Sequence, residues 1–137
     1  MKRFTDTKAG WKRLDRVCRV IRRQLGLGDL CFSLGKGRDK TAWAQYWCRF
    51  KGWTCDITIH PSFFELRSDK QYEVLVHEHI HALMAPSNQV TYRHKNKMKA
   101  AERKLFHEMY DCANELTVEH ATKPIALLLW PHVRKFF

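Results

Sequence analysis

A chain of 137 residues with 45% hydrophobic residues is sized for one domain, residues 1–137, around one core, and leaves no room for a second. Twenty-five Lys and Arg against fourteen Asp and Glu give a net charge of +11, which exclude an acidic solvating chain and permit contact with polyanions such as nucleic acid. Five cysteines, an odd number without close pairs, argue against a disulfide framework or a zinc ribbon and for small, buried side chains in a reducing compartment.

The first predicted element is a helix over residues 11–25, where Trp11, Leu14, Val17, Cys18, Ile21 and Leu25 recur at helical spacing with arginines on the opposite face. Gly26 and Gly28 stop it. Residues 30–34, 41–50 and 54–60 are rich in β-branched and aromatic side chains and are separated by residues 35–39 and by Lys51-Gly52. They read as three short antiparallel strands, the last ended by Pro61.

Ser68 or Asp69 caps the next helix, in which Tyr72, Val74, Leu75, Val76, Ile80, Leu83 and Met84 keep helical spacing until Pro86. A further long helix is predicted over about residues 92–122, carried by Met98, Leu105, Phe106, Met109, Cys112, Ala113 and Leu116 and broken by Pro124. An apolar, then basic tail follows as a short helix with a loose end. The fold class expected is α+β: about three antiparallel strands packed on an N-terminal helix, a central helix and a long C-terminal helix. No run of eighteen apolar residues occurs, and residues 1–6 lack the apolar stretch of a secretory signal, so a soluble, cytoplasmic protein without membrane contact is expected.

The chemistry lies in the central helix, in His77-Glu78-His79-Ile80-His81. Histidines four apart stack on one helix face within reach of one metal ion, and Glu78 projects beside them. Two neutral imidazoles suit Zn2+, with manganese or cobalt able to take the same donors, and a carboxylate beside the metal is placed to act as general base. His79 lies roughly 200 degrees around the helix from His77, away from the metal. His60 and Tyr110 are candidates to polarise an oxyanion.

Residues 72–86 resemble the active-site helix of zincin-type metallopeptidases, and closest is the pattern of small phage and prophage proteins of the gluzincin type. There, a strand ending near a proline, as in Asp56-Ile57-Thr58-Ile59-His60-Pro61, precedes the His-Glu-x-x-His helix, and a second helix supplies a glutamate. The resemblance implies a metallopeptidase acting on a protein or peptide in the cell that harbours it, with His77, His81 and Glu115 as zinc ligands and Glu78 as base. It also implies that an edge strand beside the metal pairs with the substrate. Glu119 and Glu108 are alternatives to Glu115, because Asn114 stands where the family often carries a second acid. SprT-type proteases offer another resemblance, in which His94 becomes the third ligand and the basic surface localises the protein on DNA. A third expectation is a zincin-shaped module that keeps its metal without cleaving anything.

Overall fold

The computed structural model describes residues 2–28, 30–49 and 54–137. Helix α1 spans Lys8–Gln24, three residues earlier at its start than periodicity indicates, because the Thr7 side chain accepts from the Gly10 N–H and caps it. Its end is a Schellman turn: Gly26 takes φ 72°, Gly26 N–H reaches Arg23 O, and Leu27 N–H reaches Arg22 O. Leu14, Val17, Cys18 and Ile21 face inward, as the sequence pattern requires.

Strands β1 (Cys31–Lys36), β2 (Ala44–Arg49) and β3 (Thr54–Ile59) form one sheet in the order β1-β3-β2. Phe50, the last residue of the second expected strand, and the separating Lys51-Gly52 lie outside the described residues. The all-antiparallel expectation is corrected here: β2 pairs antiparallel with β3, whereas β1 pairs parallel with it, Cys31 opposite Thr54 through Lys36 opposite Ile59. The physical reason lies in β3, which buries Cys55, Ile57 and Ile59 on one face and so takes the central position. The chain after β1 must then cross to the far edge before it turns back.

That crossing is built on His60. Its buried Nδ1 accepts the Asp39 N–H at 3.0 Å, and Gly37 donates its N–H to Ile59 O. A Cβ on Gly37 would lie 2.2 Å from the His60 ring, so only glycine lets the loop pass. His60 is therefore a packing residue of the crossover.

A 3-10 turn over Pro61–Glu65 leads into α2, Ser68–Lys95. Gln71, fully buried, holds Phe4 N–H through Oε1 and donates through Nε2 to Phe4 O and Phe63 O, which ties the N-terminal segment to the helix. Leaving such buried groups unpaired would cost about 1–3 kcal/mol each. Helix α3 spans Ala100–Val133 and packs along α2.

Both prolines expected to end helices sit inside them, Pro86 in α2 and Pro124 in α3, which also contains Pro131. An interior proline costs about 3 kcal/mol, and burying one large aliphatic side chain returns about 1.5–3 kcal/mol. The stripe Val118, Thr122, Ala126, Leu129 and Val133 stays buried at helical spacing on both sides of Pro124, so continuing the helix wins. Beyond Pro86, α2 remains paired with α3, Tyr110 donating its hydroxyl to Asn88 Oδ1. The core joins α1, the inner face of β3, the first half of α2 and the second half of α3 around Phe4, Ile21, Ile59, Leu75 and Val118.

The cysteines are less uniform than expected. Cys18 and Cys55 are buried, Cys48 is half-buried, and Cys31 and Cys112 are exposed. No described helix is long and apolar enough to cross a membrane.

Candidate metal centre

Residues 77–81 lie mid-way along α2, where helical spacing stacks His77 over His81. Their ring centroids are 4.9 Å apart and their Nε2 atoms 3.2 Å apart. From the neighbouring helix, Glu115 places Oε1 at 2.9 Å from His77 Nε2 and Oε2 at 3.3 Å from His81 Nε2. One donor atom from each of the three residues lies within 4.8 Å of the others, and this is the metal-competent group of histidines, cysteines and carboxylates found among the described residues.

The spacing suits zinc. Ligand atoms about 2.0–2.1 Å from a tetrahedral ion stand about 3.3 Å from one another; the two Nε2 atoms are 3.2 Å apart, and the Glu115 carboxylate faces them with one oxygen toward each imidazole, Oε1 at 2.9 Å and Oε2 at 3.3 Å. The donor set, two imidazoles and a carboxylate, leaves room for a water as fourth ligand.

Each histidine is held by a second contact. Thr122 donates its hydroxyl to Val118 O at 2.7 Å, so toward His77 Nδ1, 3.4 Å away, it can only accept. That places the proton of His77 on Nδ1 and leaves Nε2 bare for a metal. His81 lies parallel to the Tyr46 ring of β2, the centroids 6.1 Å apart and the planes within 7°. Burial, the largest influence, holds its pKa below the ordinary value against the opposing pull of Glu115.

Glu78 turns toward β2 and is 7% exposed. Burial first, and the Glu115 charge second, push its pKa up to about 7, while the Tyr46 backbone N–H bonded to it pulls the other way. A carboxyl titrating there suits proton transfer near neutrality.

Neither a family model nor a curated protein nor a solved structure matches this chain. The chemistry must accordingly be read from its own geometry.

The other sequence candidates fall elsewhere. Glu119 is exposed one turn beyond Glu115 and lines the same cleft. Glu108 is exposed two turns before Glu115, and Tyr110 is engaged with Asn88. His94 is exposed in the last turn of α2, because the helix runs on past Pro86 and carries it about 20 Å along the axis from His81.

His79 points away from the metal group, as helical geometry requires, but into the core. It is fully buried, its Nδ1–H donates to Leu75 O at 2.6 Å, its ring stacks on Phe32, and Nε2 has no partner. Burial, aided by the Arg22 charge, lowers its pKa from 6.5 to about 4. A depressed base contributes stability that is full above 6.5 and is lost as pH falls through about 4. That loss is on the order of 3 kcal/mol. Urea midpoints of the metal-free protein between pH 4 and 6.5 are expected to shift in His79→Leu, which removes this acid-side loss. An unchanged pH profile in the variant would show that His79 does not carry it.

Two participants were missed by sequence reasoning. Thr122 had a readable signal, since it follows Glu115 by seven residues and so shares its helix face. Tyr46 had none, because its place over His81 depends on how β2 lies against α2.

Proposed function

We propose that this protein is a zinc-dependent peptidase of the zincin type, with His77, His81 and Glu115 as metal ligands and Glu78 as general base. The carrying observation is the convergence of His77 Nε2, His81 Nε2 and the Glu115 carboxylate at ligand separations beside a buried carboxyl. When bound, zinc acidifies a water and polarises an amide carbonyl. Glu78 takes the proton of the attacking water and later passes it to the leaving amine. The Tyr46 N–H orients that carboxyl from the strand side.

His77, Glu78 and Glu115 open onto a cleft of about 480 Å3. One wall is formed by residues 41–44, which lead into β2, an edge strand of the sheet. An extended peptide adding to this edge gains backbone hydrogen bonds that hold its scissile bond over the metal group. Strand β3, which leads to Pro61, is the central one, so the edge role falls to β2.

The test is elemental analysis of protein purified without a metal-affinity tag, beside His77→Ala. About one zinc per chain in wild type and none in the variant is the expected result. A wild-type protein that holds no metal and takes up none from added zinc would sink the reading.

A second reading, association with nucleic acid, is favoured by α1. Lys8, Lys12, Arg16, Arg19 and Arg23 are exposed along one face, a cationic stripe about 22 Å long. Binding to DNA or RNA that weakens steeply with salt, and less steeply when Lys12 and Arg16 are replaced by Gln, would support it.

A further inference from the structure

Beyond the metal group, the groove between α2 and α3 continues toward the N-terminal end of α2. A second pocket of about 320 Å3 opens there, with Tyr72, Ala126, Leu127 and Trp130 among its lining residues. It shares Glu73 and Lys123 with the metal cleft, so the two pockets adjoin at these side chains. Its interior is apolar. Tyr72 spends its hydroxyl on Ala126 O at 2.8 Å and offers the pocket only its ring, which lies 5.5 Å from that of Trp130. Asp69, Glu73 and Lys123 also line it. Leu127, another lining residue, is 76% exposed, an apolar surface that an occupant would cover.

The distances fit a peptide. Tyr72 precedes His77 by five residues, about 8 Å along α2, and Ala126 follows Glu115 by eleven, about 16 Å along α3. Midway between those offsets, about 12 Å from the metal group, an extended chain at about 3.3 Å per residue is roughly four residues on, within a span of three to five. Its volume is at the lower limit of small-molecule sites, enough for one large side chain.

We propose that this pocket is a specificity subsite that takes an aromatic or large aliphatic side chain of a peptide, three to five residues from the bond held at His77, His81 and Glu115. The proposal rests on the peptidase reading of the cleft. It makes the substrate class an extended segment with an apolar anchor at a fixed distance from the cut. Glu73 and Lys123, at the junction, flank the backbone between anchor and scissile bond.

Zinc-loaded protein and glycine peptides bearing a hydroxamate at the amino or carboxyl end test this without requiring turnover. In each series one tryptophan is moved from one to six residues from the hydroxamate, and dissociation constants are measured beside zinc content. The expected result, in one of the two polarities, is a gain of about tenfold or more over the all-glycine compound at a spacing of three to five. Leu127→Glu should reduce that gain to under about threefold, while Leu127→Met keeps it. Both should leave zinc content and all-glycine affinity unchanged. Binding of the all-glycine hydroxamate without any tryptophan gain, or a gain that Leu127→Glu leaves intact, overturns the subsite alone. Failure of every compound to bind a protein that also holds no zinc overturns the metal reading and the subsite with it.

Discussion

Glu115→Ala is expected to weaken zinc binding by at least about 100-fold, whereas His94→Ala leaves it unchanged. Loss of a contact that merely orients a ligand costs 10–100-fold in metal affinity, so loss of a ligand should cost no less. Glu115 reaches both His77 and His81 from α3 and is 52% exposed, so truncating it removes a donor without opening the core. Its melting temperature in the metal-free state should therefore stay close to that of wild type. His94, in the last turn of α2, is too far along the helix to join the group. Competition with a chromogenic chelator measures both variants directly. Equal zinc affinity in Glu115→Ala and wild type would remove Glu115 from the site, and a large loss in His94→Ala would favour a three-histidine centre. Glu119→Ala serves as the control one turn away, with an expected loss of under about tenfold.

The second large effect is expected at Glu78. Replacing a general base typically costs 10²–10⁴ in rate, so Glu78→Gln should lower zinc-dependent peptide hydrolysis by that factor while zinc content remains near that of wild type. The same variant should stabilise the metal-free fold at alkaline pH. A buried acid with a raised pKa contributes stability that is full below 4.5 and is lost as pH rises through about 7. The loss is on the order of 3 kcal/mol, less whatever the buried amide costs. In wild type this slope opposes that of His79, whose contribution falls toward acid, so the two offset each other between pH 4.5 and 6.5. In Glu78→Gln the His79 slope stands alone, and urea midpoints should rise with pH across that window. A fold no more stable at pH 8 than wild type would show that Glu78 is not held ionised at a cost. A variant that hydrolyses peptides at the wild-type rate would remove it from the chemistry.

Helix α1 and the pairing of His77 with His81 were legible because both depend only on local periodicity: apolar side chains every three to four residues, and two imidazoles one turn apart. The three strands were legible for the same reason, in the β-branched and aromatic runs on either side of Gly-rich breaks. The glutamate at position 115 was reached through resemblance, and nothing local distinguishes it from Glu108 or Glu119. Its selection depends on the register in which α3 lies against α2.

The sequence by itself determined which residues can carry the chemistry, since side-chain type and helical spacing are properties of the chain. Tertiary structure alone decided the rest. Burial of Cys55, Ile57 and Ile59 made β3 central and left β2 at the edge, with β1 parallel to β3 against an expectation of three antiparallel strands. Buried Ala126, Leu129 and Val133 outweighed Pro124 and kept α3 continuous. Burial between the helix and the strand, together with the Glu115 charge, moved the Glu78 carboxyl to about 7. Each of these is a contest between a local preference and a long-range contact, and only packing sets the second.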